Sequence, residues 1–179
     1  MQDFVPVLKL MAISGAQQSE LPEEPREPVT IYEFNNRVYK RYQYACLLED
    51  QVRVLELTNE YGVLRKAKNC QLSYVMPLDR YLLGTDHVAL TMEKFDMTYR
   101  EYLRSHKDTR QLAKILMDVG KGIKELQGIG YVHRDLKPEN IVVNMRPLQV
   151  KIIDFNRSYS ILQSTKGTVR GTPGYYPMG

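Results

Sequence analysis

The sequence predicts an α+β fold built as two lobes, and three observations carry the prediction. Strand-forming runs separated by turn residues fill the stretch from Val29 to Met92, around a single helical pattern. A long amphipathic helix then reads from about Thr109 to Gln127. A pair of short β-branched runs follows it. A length of 179 residues suits one domain or two small lobes sharing a cleft, is ample for a buried core, and excludes a large multidomain assembly.

Ser19 to Pro28 (SELPEEPREP) carries three prolines and four glutamates, which forbid a regular helix or a central strand, so it reads as a linker. Val29 to Phe34 and Arg37 to Tyr44 are β-rich and flank Asn35-Asn36, a pair that tolerates positive φ and predicts a tight hairpin. Glu49 to Lys68 mixes charged and apolar residues at helical spacing, with Gly62 as a blemish. Leu72 to Met76 and His87 to Met92 read as short strands around a turn from Pro77 to Gly84. In the long helix, Leu112, Ile115, Leu116, Val119, Ile123 and Leu126 fall on one face. Asp108 or Thr109 caps its start and Gly128 or Gly130 its end. Ile141 to Val143 and Val150 to Ile153 flank Met145-Arg146-Pro147 and predict a second hairpin.

Composition removes several function classes. The 25 Lys and Arg against 21 Asp and Glu leave a formal charge of +4, with 43% hydrophobic and 26% charged residues, an ordinary globular mix. The basic residues are spread along the chain with no basic, aromatic-interleaved module, so no nucleic-acid partner is expected. No apolar run approaches the roughly 20 residues that span a bilayer, so no membrane span is expected. Asp3, Pro6 and Lys9 break up a start that otherwise faintly resembles a secretory leader. Cys46 and Cys70 lack metal-ligand or disulfide-framework spacing, and His87, His106 and His133 are scattered. A reducing compartment, cytoplasmic or nuclear, and no structural zinc are therefore expected.

Between the long helix and the second hairpin lies the uninterrupted run His133-Arg134-Asp135-Leu136-Lys137-Pro138-Glu139-Asn140. It resembles the catalytic loop of eukaryotic protein kinases, in its serine/threonine form because Lys137 follows the aspartate by two positions. Phosphoryl transfer asks mainly for positioning and charge neutralisation. By the resemblance, Asp135 takes or orients the proton of the attacking hydroxyl and Lys137 neutralises the transferring phosphate. Asn140 offers an oxygen to Mg²⁺, a hard cation. Asp154, in Asp154-Phe155-Asn156 where the family pattern has Asp-Phe-Gly, is the second metal ligand, and Asn156 replaces glycine with the residue that best tolerates left-handed φ.

The same resemblance extends over roughly Val29 to Pro177. Lys40, in a β-run, matches the lysine that binds the α- and β-phosphates of ATP, and Glu60 the helix acid that pairs with it. Val38 and Val142 sandwich adenine, Met92 stands at the back of the pocket, and backbone groups near Glu93 to Phe95 pair with the base. Leu64, His133 and Phe155 stack as part of a hydrophobic column. Gly171 to Tyr175 resembles the substrate-binding loop, with Thr172 directed towards Asp135 and Lys137. Thr168 matches the usual phosphorylation position, with Ser158, Ser160, Ser164 and Thr165 as alternatives, and Arg134 is the residue type that pairs with a phosphate there. The resemblance divides the chain into a segment 1–28, a kinase-like small lobe 29–95 and a partial large lobe 96–179.

Two departures stand out. No glycine-rich loop precedes Lys40: the only upstream glycine is Gly15, and Glu20, Glu23, Glu24 and Glu27 occupy the region, which predicts weakened nucleotide affinity. The sequence also stops at Gly179, before the family's further large-lobe helices. Apolar surface on the long helix is therefore expected to be exposed, in a truncated product, a chain completed by a protein partner, or one that folds poorly alone. Two functions remain in view: a divergent serine/threonine kinase using ATP and Mg²⁺ on a protein substrate, and a pseudokinase-like binding module without catalysis.

Overall fold

The structure, a computed structural model, describes residues 28–161. Thr168 and Thr172, the glutamates of the linker, and the alternatives Ser164 and Thr165 lie outside the described residues.

A four-stranded antiparallel sheet has the order β1 (Val29–Phe34), β2 (Arg37–Gln43), β4 (His87–Glu93), β3 (Arg80–Leu83). Asn35 and Asn36 take φ of 47° and 60°, the two successive left-handed residues that a right-twisted hairpin turn needs. The register sets Lys40 between Ile31 on β1 and Leu90 on β4.

The predicted helix from Glu49 to Lys68 is α2 (Gln51–Asn69), and it is preceded by a helix not foreseen in the sequence, α1 (Tyr44–Glu49), whose first residue is the expected end of the strand. Asp50 separates them by taking extended backbone and capping α2, its carboxylate accepting from Val52 N at 2.8 Å. Two strand expectations also change. Leu72 to Met76 contributes only a single parallel bridge, Val75 to Ile152, because the Tyr74 carbonyl and the Met76 N–H are spent on Ile152. Arg80 to Leu83, expected within a turn, is a strand, since its backbone pairs with Val88 to Thr91; the turn is confined to residues 84–86.

After β5 (Met97–Thr98) come α3 (Tyr99–Ser105), begun by a Thr98/Glu101 capping box, and α4 (Thr109–Gly128), capped by Asp108. Gly130 closes α4 at φ 81°. Then follow β6 (Tyr131–Val132), a short 3₁₀ turn (Pro138–Asn140), the hairpin β7 (Ile141–Met145) and β8 (Leu148–Ile152), and β9 (Tyr159–Ser160) against β6. The buried face of α4 carries Ile115, Val119 and Leu126 as expected, but also Asp118. Leu116, placed on that face by its spacing, is instead 58% exposed beside Met117 at 65%.

One core lies between the sheet and α2, with Leu57, Val63, Leu64, Ala67, Val88, Leu90 and Phe155. The other joins α3, α4 and the β7–β8 hairpin through Tyr99, Tyr102, Ile115, Val119, Ile141 and Val143. No helix among the described residues is long and apolar enough to cross a membrane.

Candidate active site

Alternation along β2 puts Val38, Lys40 and Tyr42 on one face. Across from them, α2 buries Leu57, Glu60, Leu64 and Ala67 at helical spacing, so one carboxylate interrupts an otherwise apolar stripe. A buried charge persists only when it is paired. Here Lys40 Nζ lies 3.1 Å from Glu60 Oε2 and 2.6 Å from Asp154 Oδ1, with side-chain exposures of 8%, 1% and 30%. Burial works against the Lys40 charge, yet Glu60, Tyr42 and Asp154 outweigh it and hold its pKa well above the ordinary value. Burial pushes Glu60 above the usual carboxylate range, against the pull of Lys40.

The loop after β6 is knit around Asp135, which is buried. Lys137 Nζ is 3.1 Å from Asp135 Oδ2. Asn140, buried at the end of the 3₁₀ turn that Pro138 opens, donates Nδ2 to the Asp135 carbonyl at 2.8 Å, which leaves its Oδ1 as the atom available to a cation. His133 Nε2 meets the Ile153 carbonyl at 2.9 Å and Nδ1 accepts the Asp135 N–H at 3.2 Å. This fixes a neutral imidazole, and burial accordingly lowers the His133 pKa. The ring meets Phe155 edge-on at 5.3 Å, and Phe155 shares its core with Leu64; the expected column is present.

The left-handed backbone falls at Arg134 (φ 67°) and Asp154 (φ 63°), not at Asn156. The reason is local. Turning Asp154 into the cleft while the next side chain enters the core reverses the chain at Asp154 itself, and Asn156 sits in the ordinary turn that follows, closed by Ser158 N to the Phe155 carbonyl at 2.9 Å. Arg134, expected to await a phosphate, stands 5.4 Å over the Tyr159 ring.

Lys40, Glu60, Asn140 and Asp154 converge on a cavity of about 480 Å³, whose lining does not include Asp135 or Lys137. Val38, Lys40, Glu60, Met92, Glu93, Phe95, Asn140, Val142 and Asp154 all line it, so residues from five separate stretches of sequence meet as expected. The donor set fits a hard divalent cation: a carboxylate and an amide oxygen are the ligands that Mg²⁺ supplements with phosphate oxygens and water. Sequence reasoning missed Ile31 and Glu33, which reach the cavity by alternation on β1, and the side chain of Lys94 joins them there. Lys94 Nζ pairs with Glu33 at 2.5 Å while its N–H donates to the Asn36 carbonyl at 3.2 Å. Next along, Asp96 accepts Met145 N at 2.7 Å and donates its own N–H to Asn144 Oδ1 at 3.0 Å.

A β-sheet carrying a helix-braced lysine, opposite an Asp/Lys/Asn loop and a hairpin ending in aspartate, is the arrangement of a protein kinase domain. The sequence profile of the protein kinase domain matches residues 45–177, and the chain belongs to that family. It is 32% identical over 114 residues to mitogen-activated protein kinase kinase 7 of Arabidopsis thaliana, covering 61% of this chain and 35% of that protein. To the serine/threonine-protein kinase H1 homolog of Pinctada fucata it is 31% identical over 155 residues, covering 78% and 35%. To the probable serine/threonine-protein kinase fnkB of Dictyostelium discoideum it is 36% identical over 86 residues, covering 45% and 16%. The aligned stretch thus spans about a third of the length of the first two relatives.

Proposed function

We propose that this chain binds ATP with Mg²⁺ in the cavity and transfers the γ-phosphoryl group to a serine or threonine hydroxyl of a protein substrate. The observation that carries the reading is the Lys40–Glu60 and Lys40–Asp154 contact, 3.1 and 2.6 Å, formed across sheet, helix and hairpin beside the Asp135 loop. Such a buried assembly of charge costs desolvation and is retained where it serves chemistry.

In this reading Lys40 holds the α- and β-phosphates, oriented by Glu60. Val38 and Val142 cover the faces of adenine before Met92, and the backbone from Glu93 to Phe95 meets its edge. Asp135 orients the acceptor hydroxyl and takes up its proton, and Lys137 offsets charge on the transferring group. Asn140 and Asp154 hold Mg²⁺, which when bound neutralises the phosphate oxygens. Thr172 and Thr168 belong to the segment that places the protein substrate and responds to phosphorylation, with Arg134 as its counter-charge. The rival, a binding module without catalysis, is favoured by the missing glycine-rich run upstream of Lys40, since bare backbone N–H groups there would otherwise cradle the phosphates.

Thermal unfolding with and without Mg-ATP, run beside Asp154→Ala, tests the reading. Ligand at about 100 times its Kd adds roughly 2.7 kcal/mol. A midpoint raised by Mg-ATP in the parent and not in the variant, with phosphate transfer to a serine/threonine peptide library, is the expected result. A cooperative midpoint indifferent to Mg-ATP would sink the enzyme and leave the binding module.

A further inference from the structure

Helix α2 grips the metal-facing hairpin end with two consecutive side chains. Glu60 reaches it through Lys40, whose Nζ contacts both Glu60 and Asp154, and the Phe155 backbone N–H nearby draws the Glu60 pKa down. One residue earlier, Asn59 Nδ2 donates to the Asn156 carbonyl at 3.3 Å, across 97 positions of sequence. The backbone two residues beyond Asp154 is therefore tied to α2. Asp154 itself has φ 63°, a conformation L residues rarely adopt and keep only where the surroundings over-determine it. Nothing in helix chemistry asks for Asn at position 59. Asparagine is a poor helix former, and its amide competes with the backbone. Its donor is used on the turn instead.

We propose that Asn59 is a positioning residue for Asp154: by holding the Asn156 carbonyl it fixes the backbone reversal that aims the Asp154 carboxylate at the metal position. The proposal rests on the kinase reading and deepens it. Asn59 touches neither nucleotide nor metal, so its signature is selective: the metal's hold weakens while the nucleotide's own affinity does not.

The test uses the full chain and two variants. Asn59→Leu keeps the volume without a donor, and Asn59→Asp keeps the shape but sets an acceptor against a carbonyl oxygen. At saturating ADP, the Mg²⁺ concentration giving half of the full thermal shift is measured, and the affinity for ADP without metal is measured by calorimetry. In both variants the Mg²⁺ midpoint rises about 3- to 10-fold, the worth of one hydrogen bond, metal-free ADP affinity is unchanged, and Asn59→Gln, which retains a donor amide, recovers part of the loss. If the parent responds to Mg²⁺ and the variants match it, the positioning role is overturned and the kinase reading stands. An equal loss of metal-free ADP affinity, or loss of cooperative unfolding in both variants, overturns it in favour of a general structural role. A parent that responds to neither ADP nor Mg²⁺ overturns it together with the kinase reading.

Discussion

The Arg134 guanidinium stands 5.4 Å from the centre of the Tyr159 ring, so the residue that precedes the candidate base is already engaged by an aromatic side chain two residues beyond Arg157. The strand that leads into Arg134 is joined to the one carrying Tyr159 as well, Val132 opposite Tyr159.

Replacing Tyr159 by leucine keeps bulk and removes the π face, so it is expected to cost about 0.5–1 kcal/mol, the usual worth of such a contact. Tyr159→Phe keeps most of it. Urea denaturation of the two variants checks this; equal stabilities would show that the ring packs there without attracting the cation.

Lys40→Met leaves Glu60, 1% exposed, without its cation, and a buried ion pair broken on one side typically costs about 3–5 kcal/mol. The carboxylate's pKa, already raised by burial, then climbs further. The sign follows: a group with a raised folded pKa stabilises below its unfolded value and loses that as pH rises. The variant is therefore most unstable above neutrality and recovers towards pH 5. Adding Glu60→Leu removes most of both the loss and its pH dependence. Denaturation at pH 5 and pH 8 decides, and a pH-independent deficit would contradict the argument.

His133 is neutral in the fold, its pKa lowered by burial from 6.5. The unfolded chain binds the proton more readily, so this site's contribution is full above 6.5 and is lost as pH falls through that value towards the folded pKa. The parent loses more stability between pH 8 and pH 5.5 than His133→Phe does, and equal losses would contradict the assignment. NMR titration of the His133 imidazole is expected to find its pKa lowered from 6.5 by burial.

Asp135→Asn keeps the Asn140 and Lys137 contacts to that loop in shape while removing the base. Phosphate transfer is expected to fall about 10²- to 10⁴-fold with Mg-ATP stabilisation retained. A variant as active as the parent would remove Asp135 from the chemistry.

The sequence made the site legible where residue type and spacing are both demanding. Lys40, Glu60, Asn140 and Asp154 share one cavity, with Asp135 tied to Asn140 behind it, because a paired charge, a loop base and oxygen ligands leave few alternatives. The Asn35-Asn36 hairpin was legible because few residues accept positive φ twice in succession. The break at Asp50 was not: residues on both sides have helical composition, and only the cap reveals the boundary. Nor was the exposure of Leu116, whose spacing matches that of Ile115's buried neighbours while Asp118 takes the inner position with Lys114 and Lys121 on its oxygens at 2.5 and 2.7 Å. The left-handed turn at Asp154 depends on where two side chains must point, which local pattern does not encode. Asn59 escaped for a related reason, since its partner is a backbone carbonyl that carries no sequence signal.

The ties on either side of Phe95 set the mechanics of the connection between sheet and helices. Lys94 is bound to β1 and its turn through Glu33 and Asn36, and Asp96 is bound to β7 and its turn through Asn144 and Met145. Among the described residues this leaves one link, itself buried, to absorb any rocking of the sheet over the cavity. A flexure one residue long is stiff. The jaws of this cleft therefore open through a small arc.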